Sequence, residues 1–255
     1  MRNYFLAAET LWLREIVRFV RQRNRIVGAL GTPLLFWLII GSGLGRSFQA
    51  GGSGGGYLEY FFPGTLALIV LFTAIFSTIS IIEDRQVGFL QSVLVAPVPR
   101  SAVTLGKIMG ATTLAVLQAL MFLALAPIAG ISLDLQKFFG LAGVLTMMGF
   151  SLSALGYLIA WRMESTQGFH AIMNLLLIPL WLLSGALFPP SGAPGWIRGI
   201  IRANPLTYGI AAVRQILFWG NRMESGLPSL AASLAVSALF CVAAFIATTL
   251  VAGKR

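Results

Sequence analysis

Six stretches of this chain, residues 26–44, 63–82, 107–129, 138–161, 170–188 and 229–252, are apolar almost throughout and keep their ionisable side chains at the edges. Each is about as long as the roughly 20 helical residues needed to cross a 30 Å hydrocarbon layer. That one pattern leaves little choice of fold. In lipid every backbone N–H and C=O must be satisfied within the segment, so each run has to be a helix. Pro33, Pro127 and Pro179 fall within or at the ends of these runs. Neighbouring helices can satisfy the groups a proline frees, so they kink a span without forbidding it.

Composition agrees with the pattern. Apolar residues make up 57% of the 255 and charged residues 10%, against about 25% charged in an ordinary soluble domain. A net charge of +10 raises the question of nucleic acid, which we reject. The basic residues form no aromatic-interleaved patch but sit between the apolar runs, where Lys and Arg orient a membrane protein and meet anionic headgroups. The lone Cys241 lies inside a run, which excludes an intramolecular disulfide and a cysteine metal site. The first 25 residues contain six arginines and no small-residue cleavage site, so we expect the N-terminus to be retained.

Counting Lys and Arg sets the expected orientation. With the N-terminus inside, the inner segments hold Arg2, Arg14, Arg18, Arg21, Arg23, Arg25, Arg85, Arg100, Lys107, Arg162, Lys254 and Arg255. The outer segments hold Arg46, Lys137, Arg198, Arg202, Arg214 and Arg222. The excess inside predicts both termini in the cytoplasm of a multi-pass cell-membrane protein.

Four connecting segments carry further information. Residues 1–25 read as an amphipathic interfacial helix, with Arg14, Arg18, Arg21 and Arg25 stacked on one face and Leu13, Ile16, Val17 and Val20 opposite. Its arginines are expected among headgroups and its apolar face in acyl chains. The glycine-rich stretch 51–56 reads as a flexible outer loop. Residues 83–106 open with Glu83, Asp84 and Arg85; Phe89, Leu90, Val93 and Leu94 then recur at helical spacing until Pro97 and Pro99 end the run. The apolar face of that short helix needs a burial partner. Residues 189–228 are too punctuated for a span and too apolar for a solvated loop, so re-entrant or interfacial helices are expected there.

The chemistry needed by an autonomous pump or enzyme is missing from the sequence. No phosphate-binding Gly-x-x-x-x-Gly-Lys-Ser/Thr loop occurs; the fragment Leu105–Ile108 lacks its first glycine and its hydroxyl. All eight carboxylates fall outside the cores of the six runs as bounded above, which disfavours an internal proton relay. His170, the only histidine, cannot make a metal site or a catalytic triad by itself. A six-span channel or ion-coupled carrier stays open as the alternative to a permease, although it would want charged pore rings or buried acids.

Three stretches resemble one family. Glu83-Asp84-Arg85 through Gly88-Phe89-Leu90 to Ala96-Pro97-Val98-Pro99-Arg100 is similar to the inner-loop pattern of the ABC-2 type permeases, with Ala96 where threonine is frequent. Asn174 to Pro179, then Leu183-Ser184-Gly185-Ala186-Leu187-Phe188-Pro189, is similar to their apolar run closing in Ser-Gly-x-x-Phe-Pro. Pro194-Gly195-Trp196, then Asn204-Pro205-Leu206-Thr207-Tyr208 and Arg214, resembles their outer signature. The resemblance implies an all-α membrane protein in which residues 26–255 form one six-span domain. It also implies a cytoplasmic coupling helix near residues 86–94 that seats Phe89, Leu90, Val93 and Leu94 in the groove of an ATPase. Arg162, Glu164 and His170 would mark a lighter second contact, and the segment from Pro189 to Arg214 would cap the exit. Two ABC ATPase subunits would bind the ATP and Mg, so this chain would carry no cofactor and no catalytic residue. A second permease chain, identical or a sister, would complete a path for a hydrophobic or amphiphilic substrate along the first, second and fifth spans.

Overall fold

The computed structural model describes residues 2–43, 56–219 and 228–253, with no side chains given for residues 2, 3 and 23–27. Most of the glycine-rich stretch 51–56 therefore lies outside the described residues, as does the end of the outer segment. The described residues form helices and no strand. In chain order these are α1 (Arg2–Arg21), α2 (Arg23–Gly43), α3 (Tyr57–Ser77), α4 (Ser80–Gln86), α5 (Phe89–Val95), α6 (Arg100–Leu123), α7 (Leu135–Ala160), α8 (Thr166–Leu182), α9 (Gly195–Ala203), α10 (Pro205–Leu217) and α11 (Leu230–Gly253).

Local chemistry explains where several helices begin. Asp134 accepts the Lys137 amide at 2.7 Å and Ser165 accepts the Gly168 amide at 3.1 Å, capping α7 and α8. Asn204 accepts the Leu206 amide at 3.0 Å, and Pro205 fills the first position of α10, where its missing N–H costs nothing. Gly88 takes φ 75° between α4 and α5, a left-handed turn that a side chain resists.

Helix α3 is the hub. Nearly every residue from Tyr57 to Ser77 is buried, and α2, α6, α7, α8 and α10 all pack on it. Side-chain bonds between distant segments fix the order of the bundle. At one end Arg85 and Gln86, closing α4, bond to carbonyls of Trp161, Met163 and Glu164 between α7 and α8. Arg100, opening α6, bonds to carbonyls of Ala252 and Gly253 at the close of α11. At the far end Trp37 of α2 donates to the Leu58 carbonyl, and Tyr57 donates to the Leu187 carbonyl beyond α8. The long helices therefore alternate in direction, and α1 and the close of α11 lie at the α5 end.

Among the described residues, four helical segments are long and apolar enough to cross a membrane: Tyr57–Gln86, Arg100–Leu123, Leu135–Ala160 and Leu230–Gly253. Gly28–Gly43 and Thr166–Leu182 are apolar but shorter; at 1.5 Å per residue α8 rises about 26 Å.

The structure moves several expected boundaries. The third run was bounded at Lys107, yet α6 begins at Arg100 behind Pro99, which places Lys107 two turns inside the helix. The second run extends through α4 to Gln86 after a turn at Thr78. The fifth ends at Leu182 rather than residue 188, and Gly185 follows at φ 78°. In the outer segment a 3-10 turn (Pro190–Gly192) precedes α9, and α10 is buried along almost its whole length.

Two amphipathic helices also meet partners the sequence did not indicate. The apolar side of α5 is turned onto the chain itself: Leu90 is 3% exposed and Leu94 packs on the core. Val87 and Val95 point away, 75% and 84% exposed. In α1 the bare apolar arc is where it was expected, with Leu13, Val17 and Val20 exposed. Arg14 and Arg18, however, turn to carboxylates of α4.

Candidate functional site

The α5 end is organised around Asp84. This side chain is fully buried, and a buried carboxylate persists only when paired and hydrogen-bonded. Arg14 of α1 grips it with both terminal nitrogens at 2.7 Å, and Arg18 reaches it at 3.1 Å. The third partner is Lys107 of α6, whose ammonium bonds to Asp84. Lys107 also donates to Glu15 at 2.5 Å and to the Ser80 hydroxyl at 3.3 Å. Arg18 closes the group by donating to Glu83 at 2.5 Å. Three cations thus face three carboxylates, and α1, α4 and α6 are joined by a cluster without net charge. Its hydrogen bonds to Asp84 hold the Arg14 guanidinium above its ordinary pKa, outweighing the burial that lowers it.

Close backbone approach makes the cluster possible. A Cβ on Gly106 would stand 2.5 Å from the Ala8 carbonyl oxygen, and one on Gly110 would stand 2.7 Å from Glu15 Cβ. Two glycines one turn apart form a trough in α6 that seats α1. The same Arg14 guanidinium lies 3.7 Å from the centroid of the Phe89 ring, a cation–π contact. Phe89 opens α5. The short helix is therefore tied through one arginine to the charge cluster.

Arg85 has a different task. It donates to the Trp161 carbonyl at 2.7 Å and the Met163 carbonyl at 2.9 Å, satisfying carbonyls left open at the end of α7. Its charge lies 5.5 Å from the Trp161 ring. With the Gln86 bond to the Glu164 carbonyl at 2.9 Å, it joins the α4–α5 loop to the loop between α7 and α8. Glu83, Asp84 and Phe89 are thus brought together through Arg14 and Arg18, whereas Arg100 at the foot of α6 is tied to the close of α11. Val93 and Leu94 are half-buried, and Pro97 is exposed. Arg162 and Glu164 are exposed in the second loop, and His170 stacks on Phe76 at 4.8 Å.

The residues from Pro189 to Arg214 lie at the far end of the bundle. Asn204 donates to the Leu180 and Leu183 carbonyls at 2.6 and 2.9 Å, tying α10 to the end of α8. Tyr208 donates to the Arg202 carbonyl at 2.9 Å. Arg214 is buried, 4.4 Å from the Tyr60 centroid, while Pro189 is half-buried and Trp196 is 69% exposed on α9.

A cleft of about 930 Å³ runs between α2 and α8 with α3 as its floor, within the size range of ligand pockets, about 300–1,000 Å³. Phe36, Phe72, Phe76 and Trp181 line its walls, and Gly28, Ala29 and Pro33 leave room on α2. Gln22, Glu83, Thr166 and His170 stand at its α5 end.

Sequence reasoning missed Glu15 and Lys107. Their signal was present: Glu15 follows Arg14 within a basic helix, and Lys107 falls beside a small-residue trough, Gly106 to Gly110. Only folding reveals that they meet across 92 positions.

Comparison with known proteins adds a family. The family model described as ABC-2 type transporter matches residues 7–218. The daunorubicin resistance ABC transporter permease protein DrrB1 of Streptomyces coeruleorubidus is 27% identical over 224 residues, covering 82% of this chain and 75% of its own. Nodulation protein J of Rhizobium meliloti is 26% identical over 230 residues, 88% of this chain and 84% of its own. The inner membrane transport permease YadH of Escherichia coli is 24% identical over 217 residues, 84% of each.

Proposed function

The chain belongs to the ABC-2 type transporter family, and from that premise we propose that it is the permease subunit of an ABC exporter driven by separate ATPase chains. The six apolar runs would form one membrane domain, with both ends of the chain in the cytoplasm. Two ATPase subunits would bind the ATP and Mg, and a second permease chain would complete the path. The observation that carries this reading is α5. It is a short helix at the end of the bundle, fixed by Leu90 and by the Arg14–Phe89 contact, with Val87, Gln91, Ser92 and Val95 left facing outward. That outward arc, and not the inward apolar face, is the surface suited to an ATPase groove. Movement of α5 would reach α1, α4 and α6 through the charge cluster.

The cleft supports an apolar or amphiphilic cargo. Its walls belong to the first, second and fifth apolar runs, the faces expected to border the path. One relative is named for daunorubicin resistance, and an amphiphilic drug-sized molecule is the cargo class we propose here.

The test exchanges Val95 for Asp in the full chain, co-expressed with its ATPase. We expect at least tenfold less ATPase in the purified complex, with the permease itself folded and unshifted in thermal unfolding. Leu90→Asp should instead lower the yield of folded permease. Full retention of the ATPase by Val95→Asp would reject the docking surface. An ion-coupled carrier is the second reading, favoured by the buried Asp84 and Lys107. Their complete pairing argues against it, since protonating Asp84 would leave a buried excess of positive charge.

A further inference from the structure

Two hydroxyls lie on the floor of the cleft, where α3 presents Thr73 and Ser77 beside Phe72 and Phe76. They stand one helical turn apart on one face and are 3% and 8% exposed. A hydroxyl inside a helix commonly donates back to the carbonyl four residues earlier. Thr65 of the same helix does so, bonding to the Phe61 carbonyl at 3.1 Å. Thr73 donates instead to Gln118 Oε1 of α6 at 2.6 Å. Gln118 is 1% exposed, and its Nε2 has no hydrogen-bond partner among the described residues. The Ser77 side chain makes no hydrogen bond among them either. An otherwise apolar cleft thus keeps unspent hydrogen-bonding groups at its floor, and such groups are costly to bury until something bonds to them.

The chemistry of the floor selects what that is. Neither hydroxyl carries charge, and Glu83, the carboxylate among the lining residues, is already bound to Arg18. Whichever way the Gln118 amide is turned, Thr73 keeps a free lone pair, and Ser77 keeps a donor and an acceptor. A hydroxyl on the cargo answers both, because it donates and accepts at once. Around it, Phe36, Phe72, Phe76 and Trp181 suit an aromatic body. We propose that Thr73 and Ser77 are the hydrogen-bonding subsite of the cleft and that its ligand is an uncharged hydroxyl carried on an aromatic body. Gln118, outside the lining, is a positioning residue that holds the Thr73 hydroxyl. The inference deepens the cargo reading of the cleft given above and rests on it.

The probes are pyrenemethanol and methylpyrene, which differ by a single oxygen. Binding to the full chain with its ATPase in nanodiscs is read by energy transfer from tryptophan to pyrene, Trp181 being part of the cleft wall. The readout is the ratio of the two dissociation constants, in which partitioning into lipid cancels between variants. Thr73→Val and Ser77→Ala should each erode the preference for the alcohol by about fivefold. Gln118→Leu should erode it by about threefold, and Thr73→Ser should preserve it. Thr146→Val is the control, since that hydroxyl lies on α7 and bonds to the Ala142 carbonyl. A purely structural role would weaken both probes alike. An unchanged ratio in Ser77→Ala and Thr73→Val, or an equal fall in Thr146→Val, would overturn the subsite. Ser77→Ala removes one oxygen that no described residue holds, so it decides the matter even if the other variants fold poorly. Ala29→Trp, which fills the cleft, separates this proposal from the cargo reading. Loss of both probes there, with a constant ratio in the hydroxyl variants, removes only the subsite. Undiminished binding of both probes removes the cleft as the cargo site and the subsite with it.

Discussion

Lys107 is 4% exposed and lies within bonding reach of Glu15, Asp84 and Ser80. A lysine in that position is stable only while both acids remain. Lys107→Met should therefore cost about 3–5 kcal/mol, because it leaves buried Glu15 with only the 3.5 Å contact to Arg14 and removes one of the three cations at Asp84. Removing a charge of each sign together, as Lys107→Met with Glu15→Gln, restores the balance and should recover at least half of that loss. Thermal unfolding of the purified chain in detergent reads both, and an additive double variant would refute the coupling. Arg85 contrasts with this group. Its partners are carbonyls at the end of α7, so it fastens a helix terminus and, among the described residues, pairs with no acid.

At the scale of elements, the contact of α1 with α6 depends on the small-residue trough. Gly106→Val should displace α1, since even the first added carbon would meet the Ala8 carbonyl. We expect a loss of about 1–3 kcal/mol or more and faster proteolysis between α1 and α2. Gly143→Val is the control, because nothing stands within 4 Å of an added Cβ there; equal effects at the two sites would reject the trough. The apolar runs, their order and the short helix after the second run were legible in the sequence, because periodicity and proline placement are local properties. The direction in which α5 and α1 face was not. Phe89, Leu90, Val93 and Leu94 mark an apolar face whether an outside protein or the chain itself covers it. Arg14 and Arg18 fit headgroup phosphates as well as carboxylates until Glu83 and Asp84 are placed beside them. The start of α6 was misjudged for a related reason. A lysine normally marks the edge of a span, and here distant acids hold it two turns inside the helix.

In the whole molecule the cleft separates α2 from α8 while both rest on α3. Filling it from the α2 side should stop transport and spare assembly. Ala29→Trp is expected to reduce export of an amphiphilic substrate from proteoliposomes at least tenfold, with the ATPase still bound; undiminished export would show that cargo travels elsewhere. The charge cluster also bears on how the protein is made. Arg14 leaves the ribosome 70 residues ahead of Asp84, and Glu15 is 92 residues ahead of Lys107. At roughly 5–20 residues per second, the first helix waits several seconds, and up to about 20, for its counter-ions. In the orientation proposed above the arginines of α1 would hold the nascent N-terminus on the cytoplasmic side by their charge, and Arg14 and Arg18 would later pair with Asp84 and Glu83 while staying partly exposed. The topogenic signal would thus become a joint of the finished protein.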